Sequence, residues 1–171
     1  MPGVFRKLAR YNPTMERPRV YLDTSVIGGC CDPEFRRWSN GLLRDFEMGL
    51  LKPVVSEIVG AELDDAPPEV LEKFAELMDC EPEVVLVTPE AEELAGAYLD
   101  RGILSENFAD DARHIACATI AGVDVLVSWN FRHVVHLAKM RLFNAVNVKL
   151  GYSPIQILSP REVARDDVQD G

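Results

Sequence analysis

The stretch RVYLDTSVIGG, Arg19 to Gly29, decides how the fold is read. Val20, Tyr21 and Leu22 favour a buried strand, and they run straight into a carboxylate and two hydroxyls, Asp23, Thr24 and Ser25. Such residues often cap the helix that follows a strand. They can also serve a ligand, because crevices in open α/β sheets lie just beyond the carboxyl ends of the strands. Val26 and Ile27 read as core packing, and Gly28 with Gly29 as a bend that carries the chain away. Which account holds depends on whether other acids reach the same strand end.

Outward from this stretch, short apolar runs alternate with helical patterns, which indicates βα units and a largely parallel sheet. Asp32 and Pro33 read as the N-cap and first residue of a helix to about Met48, with Glu34 near its positive end. KPVV, Lys52 to Val55, is a second strand, and Ser56 caps a helix through Leu63. Pro67 and Pro68 open a helix that carries Val70, Leu71, Phe74, Leu77 and Met78 at helical spacing. Val84 to Val87 has the composition of a buried strand, and Thr88 with Pro89 starts the next helix. Ser105 caps the helix after that, whose apolar stripe through Ile115 and Ala118 ends at Gly122. VDVLVS, Val123 to Ser128, is a further strand. IQIL, Ile155 to Leu158, is the last, before a capping box of Ser159 and Glu162. These bounds give one domain over 19–165, an extension over 1–18 in which Met15 offers an alternative start, and a frayed tail over 166–171.

The 171 residues are about one domain in length, and 47% hydrophobic with 27% charged residues is ordinary for a soluble globular protein. No apolar run reaches the ~18 residues of a membrane span. Met1 to Arg19 has positive charges but no apolar core, so no signal peptide is expected and the reading is cytoplasmic. Cys30 and Cys31 are adjacent while Cys80 and Cys117 stand alone, which suits reduced, packed thiols better than a zinc site or a disulfide framework. His133 and His136 lack partner ligands of matching spacing.

A net charge of −10 argues against a nucleic-acid partner until its distribution is considered. Glu57 to Asp111 holds 17 acidic and two basic residues, a balance of −15, whereas the rest of the chain holds 11 acidic and 16 basic, a balance of +5. A polyanion can therefore approach the flanking segments, which include Arg17, Arg19, Arg36, Arg37, Arg132, Lys139, Arg141 and Lys149. A solvated acidic surface without a partner is the plainer alternative.

Four positions belong together. Asp23 ends the first strand, Glu62 and Asp111 lie on two later helices, and Asn130 follows Ser128 at the end of another strand. Hard cations such as Mg²⁺ and Mn²⁺ take oxygen ligands, and Mg²⁺ needs only one or two carboxylates beside water and substrate phosphate oxygens. Such a pocket suits phosphodiester hydrolysis. Periodicity leaves open whether Asp110 or Asp111 points inward, since both share fairly apolar stripes. Glu57 and Glu62 cannot share a helix face, and the helix dipole alone accounts for an acid at Glu57.

YLDTSVI, the EL of Glu62, DDARHIACA and LVSWNFRH occur in the order and spacing of PIN-domain nucleases, including the VapC-like toxins, and the chain resembles that family over about Arg19 to Leu158. The resemblance implies a three-layer α/β/α, Rossmann-like fold with a central, mostly parallel sheet. It further implies a Mg²⁺- or Mn²⁺-dependent endoribonuclease, the toxin of a toxin-antitoxin pair, acting on RNA as a homodimer and partnered by an antitoxin encoded nearby. Carried over, Asp23 and Asp111 bind the metal, Glu62 binds it or positions the attacking water, and Asn130 holds a water or a phosphate oxygen. Thr24 and Ser128 match hydroxyl positions that orient the site. Asn130 stands where the family often has Asp, which removes one negative charge and weakens the case for a second metal ion. Two other classes compete: a PIN-like binding module without catalysis, and a haloacid-dehalogenase-type phosphatase, which would want an Asp where this chain has Ser25. Trp129 reads as packing rather than base stacking.

Overall fold

Two- to five-residue runs rich in β-branched residues build the centre of the protein, which is described here for residues 16–164 of a computed structural model. The extension read over 1–18, apart from residues 16–18, and the tail over 166–171 lie outside the described residues. Five strands, β1 (Arg19–Leu22), β2 (Lys52–Ser56), β3 (Glu83–Val85), β4 (Val125–Val127) and β5 (Ile157–Leu158), form one sheet in the order β3-β2-β1-β4-β5. All four pairings are parallel, with Tyr21 opposite Val54 on one side and Leu126 on the other.

Side chains alternate along each strand, so the sheet divides the core in two. Tyr21, Val54, Leu126 and Ile157 face α5 (Pro89–Asp100), α6 (Ala109–Ala121) and α7 (Leu137–Lys149). Val20, Leu22, Val55, Val125 and Val127 face α1 (Thr24–Gly29), α2 (Arg36–Glu47), α4 (Pro68–Asp79) and α8 (Pro160–Val163). The short α3 (Glu57–Glu62) crosses between the layers, with Ile58 in one core and Val59 in the other. The result is the three-layer α/β/α arrangement with a parallel sheet.

The connectivity determines where a site can form. From β1 the chain adds β2 and then β3 on one side, then returns across the sheet to place β4 on the other side of β1. The carboxyl ends of β1 and β4 therefore flank the point where strand order reverses, the usual crevice of an open α/β sheet.

Several local expectations are corrected. The segment after Asp23 is helical: α1 ends in Gly28 and Gly29 instead of bending there. A Cβ on Gly29 would lie 2.6 Å from both Ser39 Oγ and Trp129 Nε1, so close packing is what requires this glycine. Asp32 does not cap α2 directly. It closes a preceding turn, its carbonyl accepting from Phe35 N and Arg36 N, and the helix starts at Arg36. β3 is an edge strand, not a buried one: Val84 is 50% exposed, and Leu86, expected within the strand, lies beyond its end at Val85 and is 63% exposed. Leu71 and Met78 face outward, while Val70 and Leu77 enter the core. Ser105 precedes a 3₁₀ turn, Glu106–Phe108, and its side chain caps nothing. α7 escapes periodicity because its apolar residues fall on both sides, Phe143 and Val146 inward and Leu142 and Val148 outward. Ser56 and Thr88 do cap α3 and α5, Gly122 closes α6 with a left-handed φ of 65°, and Ser159 with Glu162 forms the capping box.

Candidate active site at the crevice between β1 and β4

Asp23 extends the ladder past β1, its N–H donating to the Val127 carbonyl at 3.3 Å. Its side chain caps nothing, although the residue occupies the N-cap position of α1. Ser25 Oγ donates to its Oδ1 at 2.6 Å, and Ser128 Oγ donates to Oδ2. Each hydroxyl also accepts a backbone N–H, Ser25 from Trp129 and Ser128 from Asn130, both at 2.9 Å. The carboxylate is thus fixed from the first turn of α1 and from the end of β4 at once and is only 4% exposed. Burial raises its pKa above the usual carboxylate range, with the two serine hydroxyls and nearby His114 working against that rise.

The choice left open by periodicity falls on Asp111. Asp110 points out to Arg113, whose Nη1 donates to it at 2.8 Å. Asp111 turns into the crevice, where Asn130 Nδ2 donates to its Oδ2 at 3.4 Å. Burial, and then the charge of Asp23, lift Asp111 to a pKa of about 6. Asn130 in turn accepts His133 N–H at 3.0 Å, which ties the turn after β4 to the acid.

Glu62 is held differently. Its Oε1 accepts from Thr24 Oγ1 at 3.0 Å and from His114 Nε2 at 2.6 Å. His114, 3% exposed on α6, places Nδ1 2.6 Å from the Tyr21 hydroxyl, which donates to Ser56 Oγ at 2.8 Å. A polar chain from Ser56 through Tyr21 and His114 to Glu62 therefore joins two strands to two helices. Burial alone would raise the pKa of Glu62, but the hydrogen bond and charge of His114, helped by Thr24, bring it below the ordinary value. Sequence reasoning missed His114 and Tyr21 as parts of the site. The available signals were His114 one turn after Asp111 in DDARHIACA and a hydroxyl-bearing Tyr21 in an otherwise apolar strand.

Glu57 lies outside this group, its Oε1 accepting Val87 N–H at 2.9 Å. Trp129 packs as expected: it is buried and donates from Nε1 to Ser39 Oγ at 2.8 Å. Arg19, counted above among the basic residues, is committed to Glu83, to which Nη2 donates at 2.6 Å. His136 caps α7, with Nδ1 accepting Lys139 N–H.

Among the described residues, no three His, Cys, Asp or Glu side chains converge so as to hold a metal ion. His114 and Thr24 draw Glu62 aside, leaving Asp23 and Asp111 as a pair. That pair still fits a hard cation: both donors are oxygens, both have raised pKa values, and the charge of Asp23 contributes to the rise of Asp111. Two carboxylates are the number Mg²⁺ usually takes.

No family model matches the chain, nor does any curated protein by sequence. Among solved structures it is similar to a chain in the crystal structure of VapBC2 from Rickettsia felis bound to a DNA fragment from their promoter. The identity is 14%, the match covers 82% of this chain and 98% of that one, and the TM-score is 0.53. At that identity the likeness is one of fold, and the five-stranded parallel sheet between helical layers is the PIN-like arrangement. No helix among the described residues is long and apolar enough to cross a membrane.

Proposed function

We propose that the protein is a divalent-cation-dependent endoribonuclease, the toxin of a toxin-antitoxin pair. The observation that carries this reading is the pairing of buried Asp23 with half-buried Asp111 at the topological switch point, two acids that disfavour ionisation where the fold opens to ligand. The PIN-like fold, and a structural neighbour whose description names VapBC2, support it. Asp23 and Asp111 would hold Mg²⁺ or Mn²⁺, which supplies positive charge to the scissile phosphate and to the leaving oxygen.

The chain's own groups have distinct tasks. Ser25 and Ser128 hold both oxygens of Asp23 in place, which preorganises the acid before substrate arrives. His114 and Thr24 keep Glu62 ionised, so that its carboxylate can take a proton from the water that attacks phosphorus. As that oxygen–phosphorus bond forms, the bond to the leaving ribose oxygen breaks. Asn130 orients Asp111 and presents an amide to the phosphate side of the crevice. A homodimer, an antitoxin partner and a cytoplasmic location belong to this proposal.

The test is cleavage of a mixed RNA pool with Mg²⁺, Mn²⁺ or EDTA, beside an Asp111→Asn variant. Cleavage that survives both EDTA and the substitution sinks the proposal. A second reading, a PIN-like binding module without catalysis, draws on the withdrawal of Glu62 from the acid pair. It predicts RNA that is bound but uncut under every metal condition. Growth arrest on expression, relieved by the neighbouring gene, distinguishes a toxin from a housekeeping nuclease.

A further inference from the structure

The crevice has two banks of opposite character. On one, Glu57, Glu62, Glu92 and Asp110 line an open groove with Arg113. The guanidinium there already donates to Glu92 at 2.9 Å and to Asp110 at 2.8 Å, so a polyanion meets net negative charge. On the other bank, the turn after β4 carries Arg132 two residues from Asn130, and no acidic residue occurs between Ser128 and Lys149.

This second bank also carries aromatic rings. Trp129 stacks on Phe35 with centroids 4.3 Å apart, and Phe131 meets Trp129 edge-on at 6.1 Å. The indole cannot shift, because Ser39 accepts its N–H and the bare Cα of Gly29 lies against it. Phe131 is 50% exposed above this fixed support. It directly follows Asn130, which donates to Asp111. Arg36 adjoins Phe35 and Arg132 adjoins Phe131, and both arginines are exposed. On α2 the guanidinium of Arg37 lies 4.9 Å from the centroid of Trp38, and that of Arg161, from α8, lies 5.9 Å from it.

A rigidly backed, exposed ring with an exposed arginine next to it in sequence and another next to its support Phe35, close after the residue that bonds Asp111, matches single-stranded nucleic acid, which offers base faces to aromatics and phosphates to cations. A duplex does not, because its bases are stacked on each other. We propose that Phe131 is a stacking platform for one nucleobase of a single-stranded RNA, with Arg132 and Arg36 holding flanking phosphates, so that the strand enters the crevice along the β4–α7 bank. The proposal rests on the nuclease reading above and adds the path of the substrate.

The test measures binding without cleavage: the full chain carrying Asp111→Asn, in EDTA, titrated with fluorescein-labelled oligouridine, its abasic counterpart and a duplex RNA. Adding Phe131→Ala is expected to weaken oligouridine binding about tenfold and abasic binding by less than about twofold. Phe131→Trp retains affinity. Arg132→Ala weakens both strands and reduces the salt slope of log affinity by about 0.7. Unchanged oligouridine affinity in Phe131→Ala overturns the platform, as does an equal loss on the abasic strand or tighter binding of the duplex. A change of oligomeric mass in Phe131→Ala with RNA affinity intact makes the ring a protein contact and overturns it too. The two readings fail separately. Metal-dependent cleavage by the wild type with no role for Phe131 removes only the platform, and Phe131-dependent binding without cleavage removes only the nuclease.

Discussion

Asp111 and Glu62 face one crevice, and burial pushes both toward the neutral form, yet they end on opposite sides of their ordinary range. Asp111 rises to about 6 because Asp23 adds a like charge to its burial. Glu62 falls, because the hydrogen bond and charge of His114 outweigh its burial. His114 offsets the rise of both floor acids only in part, whereas on the α3 rim it bonds Glu62 directly and outweighs the burial. The difference teaches that neighbouring acids can be assigned separate work, cation binding and proton acceptance, by what lies behind them.

The largest expected effect tests the floor. Asp23→Asn or Asp111→Asn should lower kcat on the order of a thousandfold, the several kcal/mol that a bound cation contributes to a transition state. Mg²⁺ should raise the Tm of the wild type, and the same variants should lose that rise. Next, His114→Ala attacks the rim: Tyr21 and Glu62 lose their shared partner, and urea unfolding should show a loss of about 2 kcal/mol. Its kcat should fall about tenfold, with part of the loss recovered by His114→Gln. If His114→Ala proves as stable as the wild type, the contrast between floor and rim is broken.

Stability against pH sharpens the contrast, because the two acids carry opposite signs. The folded value of Asp111, about 6, lies above the unfolded 3.8, so this group lowers stability progressively as pH rises between them. After allowance for its partial exposure to solvent, Asp111→Asn should be more stable than the wild type by on the order of 1 kcal/mol at pH 7, with no gain below about pH 4. Glu62, shifted below its reference of 4.5, stabilises above that value and loses the contribution as pH falls through its folded value. Glu62→Gln should therefore be less stable at pH 7, with the deficit shrinking in acid; denaturant melts at both pH values check the pair. The smallest effect belongs to Glu57→Gln. Its amide oxygen can still accept Val87 N–H, so activity and stability should stay within about 0.5 kcal/mol of wild type.

Much of this was legible in the sequence, and the remainder has physical reasons. Strands β1, β2 and β4, the caps at Ser56 and Thr88 and the stop at Gly122 are local signals, and local signals survive folding. β3 read as buried because its composition matches an inner strand, and only the chain's return past β1 puts it at the edge. α1 has six residues, too few for a period to show. At the crevice, Asp23, Thr24, Ser128 and Asn130 could be placed from strand ends, but Asp110 and Asp111 could not be separated until Arg113 claimed one of them. His114 stayed hidden because its partners Tyr21 and Glu62 are 93 and 52 residues away, distances that no window along the chain spans.

The β1–β4 pairing has a consequence for synthesis. Ser128 donates to one oxygen of Asp23 from 105 residues later, so of the two hydroxyls that fix the first acid only Ser25 is in place until β4 has left the ribosome. A nascent chain ending anywhere before Val125 lacks the strand that completes the crevice. The crevice is therefore a property of the chain made as far as β4, since Val125 lies opposite Val20 in the ladder although β2 and β3 come between them in sequence.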